Sequence, residues 1–298
     1  MASGGPPERA AQREAPAGLS LVATPIGNLG DLSPRALAVL GGVDAVLCED
    51  TRVTGQMLAR YGLSAPLLPL HDHNEAEMVP RVIERLRAGQ RLALASDAGT
   101  PLVSDPGYRL VRAVIEAELP VTAVPGPNAA VVALTLSGLP PHPFLFLGFL
   151  PPRGGPRQAA IARLRAAERA GLSATLVLHE APHRLADALA ALAEGLGADR
   201  PAAVARELTK RFEEVRRGNL AELADHYAAQ EARGEICIVI GPAPEEADAA
   251  ADLDAQLRAA MAGASLRDAA ALVAAATGLP RKQVYARALE LARESGEG

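Results

Sequence analysis

Apolar residues in this chain fall into short, dense runs separated by stretches in which they recur every three or four positions. That alternation predicts strands followed by amphipathic helices. Leu19–Thr24 is the first such run, and Ser33-Pro34 opens the helix after it. Ser caps a helix by accepting from its first turn, and Pro is tolerated at the first helical position, where its missing N–H would have had no partner. Val43–Cys48, Pro66–Leu70, Arg91–Ser96 and Val121–Val124 read as further strands. Between them lie helices ending at Tyr61 before Gly62, and covering Glu75–Ala88 and Tyr108–Glu118. Strands this apolar, alternating with helices, predict a parallel sheet covered on both faces over residues 19–126.

The pattern then changes. Asn128–Ser137 reads as a helix, Phe144–Phe149 as a strand, and Pro151–Pro156 (PPRGGP) as a break. A basic helix (Arg157–Ala170), a strand (Ala174–Leu178), a helix from His183 and a strand (Ala202–Ala205) follow. Phe212–Arg217 alternates like an exposed strand, and a helix to Gln230 precedes a last strand, Ile236–Ile240. Residues 127–243 are thus expected to form a second α/β domain with a mixed sheet. An acidic, Ala-rich linker is expected over 244–262. Ser265 and Asp268 then open a helix to Thr277, Gly278 ends it, and Pro280 starts another to about Arg293. Two readings stand for 263–298: a helix-turn-helix-like unit, or a helical hairpin that packs on the body of the protein.

Composition narrows the class. The chain has 298 residues, 49% of them hydrophobic, enough for two ordinary domains with a sizeable core. Trp is absent, so that core must be mostly Ala, Val and Leu. The formal net charge of −5 argues against a protein coated in positive charge, though a local basic patch needs only a few residues. Arg206, Lys210, Arg211, Arg216 and Arg217 form one such cluster, and Arg153, Arg157, Arg163, Arg165 and Arg169 another. Cys48 and Cys237 each end an apolar run and read as reduced core thiols of a cytoplasmic protein. No run of eighteen apolar residues occurs, so no membrane span is expected. Residues 1–18, rich in Ala, Pro, Gly and charge, read as a disordered leader.

In an open parallel sheet, ligands bind beyond the carboxyl ends of the strands. Five unusual loops fall there: Thr24–Asn28, Glu49–Arg52, His71–Glu75, Ser96–Pro101 and Pro125–Asn128. Ordinary turns need only one or two Gly, Pro or Asn residues, so this edge is the expected site. No G-x-G-x-x-G and no P-loop lysine motif is present, which disfavours dinucleotide oxidoreductases and nucleoside triphosphatases. Asp50 and Arg52 could form a local salt bridge or take part in chemistry. His71 and His73 lack zinc spacing, so no metal is expected, and hydrogen bonding or general-base work suits the pair better.

The segments LVATPIGNLGDLSPRAL, CEDTR, HDHNE, SDAGTPLVSDPG, PGPNA, FLGFLPPRG, HEAPHRL and RELTKRFEEVRRG occur in this order. In that order they resemble the small-subunit ribosomal RNA branch of the tetrapyrrole methylases, a family that also holds uroporphyrinogen and cobalamin-precursor methyltransferases and diphthine synthase. The resemblance covers Leu19 to about Gly241. It implies the class III methyltransferase fold: two α/β domains with a cofactor cleft between them, and a small helix-turn-helix-like C-terminal domain. It further implies a homodimer that takes S-adenosylmethionine and acts on 16S ribosomal RNA of the small subunit, not on DNA, by methylating the 2′-hydroxyl of a cytidine ribose in the decoding region. By motif, the cofactor contacts fall on Ile26 and Gly27, on Ala95, Ser96 and Asp97, on Thr100 or Val103, on Asn128 and Ala129, and on Glu180, Leu208 and Glu235 or Ile236. The first loop departs from the G-x-G-P-G-D of the tetrapyrrole enzymes, in agreement with the ribosomal RNA branch.

A ribose hydroxyl is a poor nucleophile while protonated, so the site needs a base or a cation near the developing alkoxide. Asp50, His71, Glu180 and Lys210 lie at the strand-end edge. Asp50 or His71 is the expected base, and Lys210 or Arg52 its electrostatic partner. Two other functions compete: a methyltransferase acting on a tetrapyrrole, and a non-catalytic RNA-binding ribosome-assembly factor.

Overall fold

The computed structural model describes residues 15–244, 247–277 and 279–294. Its first sheet has five parallel strands: β1 (Gly18–Val22), β2 (Ala45–Cys48), β3 (Leu67–Pro69), β4 (Arg91–Ala95) and β5 (Val121–Val124). They lie in the order β3-β2-β4-β1-β5. The helices are α1 (Pro34–Gly42), α2 (Thr51–Arg60), α3 (Glu75–Arg87) and α4 (Tyr108–Glu116). Ser33 caps α1 as its sequence demands, its Oγ accepting from Ala36 N at 3.1 Å. Strand alternation splits the core in two. Val22, Val46, Ala93 and Ala95 face α1 and α2, while Leu19, Leu47, Leu92 and Leu94 face α3 and α4. The chain therefore leaves β1 and β2 toward one face and β3 and β4 toward the other. Adjacent strands β4 and β1 are a topological switch point, where diverging loops open a crevice.

The second sheet runs β6-β7-β10-β8-β9, from β6 (Phe144–Phe149), β7 (Thr175–Glu180), β8 (Pro201–Arg206), β9 (Glu214–Asn219) and β10 (Ile236–Ile240). Only β6 and β7 pair in parallel, so the sheet is mixed. α5 (Ala129–Ser137) packs on one face through Ala130, Ala133 and Leu134, against Val177, Ala205 and Val239. Ile26, from the loop after β1, and Leu208, from the loop after β8, complete that cluster. α6 (Gly154–Arg169) starts from this half, and α7 (Leu185–Leu196) and α8 (Leu220–Ala229) are its remaining helices. Asn219 and Glu222 make a reciprocal capping box on α8.

By contacts the chain divides into two compact units. One is formed by the chain up to Ile161 with Ala174–Gly241, the other by Ala162–Ser173 with the chain from Pro242 onward. The second unit holds α9 (Ala247–Met261), α10 (Leu266–Thr277) and α11 (Arg281–Glu294). Leu253 and Leu257 of α9 pack with Ala270, Val273, Val284, Ala288 and Leu291.

Several expectations need correction. The stretch expected as a linker over 244–262 is largely α9: Ala is the strongest helix former, and Leu253 and Leu257, four apart, give the helix an apolar stripe to bury. The expected leader ends earlier than residue 18, because Ala15 is buried against α1 and β1 already starts at Gly18. Residues 1–14 of the leader, and the helix stop expected at Gly278, lie outside the described residues. α6 starts at Gly154, inside the expected PPRGGP break. The exposed strand begins at Glu214 rather than Phe212, and α7 at Leu185, after a 3-10 turn over Pro182–Arg184.

Candidate active site

The loops after β1, β4 and β5 are tied together by short-range chemistry. Thr24 and Gly99 exchange backbone hydrogen bonds at 2.8 and 3.1 Å. Thr24 Oγ1 donates to Ser96 O at 3.0 Å, Ser96 Oγ to Gly99 O at 2.7 Å, and Thr100 Oγ1 to Pro127 O at 3.0 Å. Asn128 caps α5, its Oδ1 accepting from Val131 N at 3.1 Å. These contacts engage a side-chain oxygen of each of Thr24, Ser96, Thr100 and Asn128 in shaping the rim.

Beside that rim, at the switch point, lies a cavity of ≈390 Å³. Ile26, Ala98, Val103, Ser104 and Asp105 line it from the first sheet's loops, and Ala129 from the start of α5. Phe149, His179–Pro182, Leu208 and Gly234–Cys237 line it from the second. Of the residues expected to contact a cofactor, Ile26, Val103, Ala129, Glu180, Leu208 and Glu235 form its wall. Ala95 and Ser96 are buried and do not line it. Thr100 and Asn128 make the hydrogen bonds just given. Gly27 and Asp97 face a smaller groove of ≈240 Å³ with Pro25, Leu29, Val53 and Met57. Gly27 has a packing reason for its identity: a Cβ there would overlap the Lys210 side chain.

Most charged groups on the rim are paired. Asp50 caps α2 and grips Arg52 with both oxygens, at 3.1 Å to Nε and 2.7 Å to Nη2. These hydrogen bonds hold the Asp50 carboxyl down to about 2. A carboxylate so reluctant to take a proton is a weak base, which argues against the base role expected of Asp50, and Arg52 is spent on holding it. Asp50 N also donates to Asp97 Oδ1 at 3.2 Å, joining the loops after β2 and β4. The backbone N–H of His71 is capped by Asn74, and its ring nitrogen Nδ1 is buried without a partner. His71 is absent from the cavity wall, and Glu75 of the same loop turns inward to accept from Leu110 N at 3.0 Å. Lys210 lies 2.7 Å from Glu207 and 3.0 Å from Glu235. Burial works against its charge, but the hydrogen bonds to the two glutamates prevail and raise it. Glu180 is held by Arg184 Nε at 2.7 Å and by Ala181 N at 2.8 Å.

His179 sits among Phe146, Phe149 and Cys237, with Nδ1 3.3 Å from Cys237 Sγ. Burial lowers His179 and pushes the Cys237 thiol up to about 12, so both are neutral near pH 7 and the thiol is inert. Among the described residues no group of His, Cys, Asp or Glu could hold a metal ion. Sequence reasoning missed Ser104, Asp105, Phe149, His179 and Gly234 as wall residues. The available signal for Asp105 was its place in SDPG, ten residues past the end of β4 in an unusually long loop.

Two lobes with strand-end loops closing on one cavity define a class of protein that known sequences name. The profile of tetrapyrrole (corrin/porphyrin) methylases matches residues 18–224, and the chain belongs to that family. The profile of the RsmI C-terminal HTH domain matches residues 247–292. Ribosomal RNA small subunit methyltransferase I of Mesorhizobium japonicum is 50% identical over 281 residues, covering 94% of each chain. The protein of that name from Xylella fastidiosa strain Temecula1 is 47% identical over 274 residues, covering 91% of this chain and 98% of its own. Within the family, then, this methyltransferase sits in the branch of the ribosomal RNA small subunit methyltransferases I. Uroporphyrin-III-C-methyltransferase from Thermus thermophilus aligns with a TM-score of 0.52 at 25% identity, over 76% of this chain and 94% of that one. The Thermus enzyme complexed with S-adenyl homocysteine aligns with a TM-score of 0.53 at 21% identity, over 75% and 97%, a likeness of fold.

Proposed function

We propose that this chain uses S-adenosylmethionine to methylate 16S ribosomal RNA in the small subunit, at the 2′-hydroxyl of a cytidine ribose in the decoding region. The observation that carries the reading is the cavity. Its walls are mostly apolar, from Ile26, Val103, Ala129, Leu208 and Ile236, and suit an adenosine and a thioalkyl chain. Its carboxylates on Glu180 and Glu235 suit a ligand bearing a sulfonium and an ammonium. Bound there, S-adenosylmethionine supplies an electrophilic methyl group; the residues supply position and charge. The relatives' shared name, at up to 50% identity, supports a small-subunit ribosomal RNA acceptor.

RNA meets the protein through exposed side chains of the loop after β8, the loop that also carries Leu208 of the cavity wall. Phe212 is 66% exposed, and the Arg211 guanidinium lies 5.6 Å from its ring centroid. An aromatic and an arginine together suit a splayed-out base, because every base offers a π face. Arg206 and Arg216 are less available than the sequence implied, since both are paired to Glu214. Arg217 donates to the carbonyls of Leu136 and Ser137. The proposal includes a cytoplasmic homodimer as the working unit.

The test is radiolabelled methyl transfer to small ribosomal subunits, to naked 16S RNA and to a uroporphyrinogen, with mapping of the modified nucleotide. Label on a ribose 2′-oxygen of the RNA is the expected result. Label on the tetrapyrrole, or RNA binding without transfer, would overturn it.

A further inference from the structure

Three carboxylates line the cavity, and two of them have cationic partners. Glu180 is held by Arg184, and Glu235 by Lys210. No hydrogen bond or ion pair from a described residue reaches the carboxylate of Asp105. The charges that act on it are Glu49, at the end of β2, and Asp97, after β4, both of its own sign. Asp105 is half-buried, so solvent compensates it only in part. The chain holds this position through an unfavourable backbone. Leu102 and Ser104 adopt left-handed φ of 70° and 65°, and Gly107 has φ 119° with Leu94 packed where its Cβ would stand. An ordinary turn would relax such geometry, and an ordinary half-buried carboxylate would find a donor.

We propose that Asp105 is the general base of methyl transfer, accepting the proton of the acceptor hydroxyl, with Glu49 and Asp97 as positioning residues whose like charge keeps it receptive. This deepens the function proposed above and rests on it. In the step, the hydroxyl oxygen forms a bond to the methyl carbon. The carbon–sulfur bond breaks with its electron pair retained by sulfur, which becomes a neutral thioether. The hydroxyl proton passes to Asp105 Oδ and later to water.

The protonation state fits the task. Burial first, then the charges of Glu49 and Asp97, push the Asp105 carboxyl up to about 7. A base is most effective when its pKa lies near the working pH. Two other groups on this rim do not match it. Asp50 is held at about 2 by Arg52, and His179 is lowered by burial and has Nδ1 engaged by Cys237. Asp97 is raised, by burial and then by Asp50, while its carboxylate accepts from Asp50 N. Glu49 is raised by burial, Asp97 and Asp72, with His71 opposing.

The test uses the full chain, S-adenosylmethionine and small ribosomal subunits under single-turnover conditions, across pH 5.5 to 8.5. Wild type should show a rate that rises with pH and levels off above about 7. Asp105→Asn should lose about 100-fold or more, while calorimetric affinity for S-adenosylhomocysteine stays within threefold. Glu49→Gln removes one like charge, so the rising limb should move to lower pH, a shift that a merely structural role would not produce. Carbon-13 carboxyl NMR of aspartate-labelled protein, without any substrate, should find one aspartate titrating near neutrality that disappears in Asp105→Asn. Wild-type activity together with an Asp105→Asn rate within threefold of it would overturn the base assignment alone. An unmoved limb in Glu49→Gln would remove Glu49's positioning role. No transfer by wild type to any RNA would overturn the assignment and the function beneath it. If Asp105→Asn failed to bind S-adenosylhomocysteine, Asp105 would be a structural or binding group, and the proposal would fall.

Discussion

Replacing Asp105 with Asn should make the protein more stable, and more so as pH rises. The folded-state carboxyl is raised from 3.8 to about 7, chiefly by burial. Below pH 4 the group is protonated in both folded and unfolded chains and contributes no difference. Between pH 4 and 7 the unfolded chain ionises it freely while the folded chain resists, so wild-type stability falls across that window and is flat above it. About three units at 1.4 kcal/mol each set a ceiling of ~4 kcal/mol. The side chain is partly open to water, which screens the interaction, so roughly half, ~2 kcal/mol, should survive. Asn is nearly isosteric, and no hydrogen bond is lost with the charge. Urea unfolding followed by far-ultraviolet circular dichroism suits a chain without Trp. The transition to fit is that of the unit holding both sheets. Asn minus wild type should grow from near zero at pH 4 to ~2 kcal/mol by pH 7.5. Parallel stability curves for the two proteins between pH 4.5 and 8 would refute the reasoning.

Three further outcomes follow from the same geometry. Gly234→Ala places a Cβ onto the Glu207 carboxylate, at a backbone φ of 84° that favours Gly, so the Glu207–Lys210–Glu235 set should shift and calorimetric affinity for S-adenosylhomocysteine fall about tenfold or more. Phe212→Ala should weaken filter binding of single-stranded RNA by roughly 1–3 kcal/mol without changing affinity for S-adenosylhomocysteine. Leu257→Ala, in a fully buried position, should destabilise the helical unit by about 2–5 kcal/mol and lower the unfolding midpoint of that unit first, read by hydrogen exchange across α9, α10 and α11.

The two-lobed layout was legible because its determinants are local and periodic. β4 buries Ala93 and Ala95 on one face and Leu92 and Leu94 on the other, and the apolar run that predicts the strand is that two-sided burial itself. Ser33 caps a helix where the sequence puts a cap. The strand-end rule likewise placed Ile26 at the edge where the cavity lies, because chain direction fixes which loops share an edge, whereas Val103, Ala129 and Glu180 were indicated by the family resemblance. What stayed hidden depended on pairing. Nothing in the letters says that Arg52 takes Asp50, that Lys210 is divided between Glu207 and Glu235, or that Asp105 finds no donor; those facts need side chains from different strands in one place. α9 was misread for a related reason. Acidic and Ala-rich residues look like a linker until Leu253 and Leu257 meet Val284 and Leu291.

Backbone strain locates the cavity independently of its charges. Among the described residues, five non-glycine positions have left-handed φ, and four of them fall in two loops. In the first loop Leu102 and Ser104 flank Val103; in the second Glu207 and Thr209 flank Leu208. Val103 and Leu208 both line the cavity, one from each lobe. Each left-handed residue costs about 1–2 kcal/mol, so the two loops carry several kcal/mol that a relaxed turn would avoid. Such a conformation persists only where surrounding contacts over-determine it, and the contacts are present. Thr209 N donates to Glu213 at 2.6 Å and Glu207 N to Glu235 O at 2.9 Å, while Val103 N reaches back to Thr100 O at 3.3 Å. The same device in two unrelated loops pushes one apolar side chain from each lobe toward the same space. Packing alone would fill that space; a chain that instead strains two loops around it, and leaves a carboxylate there unpaired, is organised to hold a ligand between apolar walls with one free base beside it.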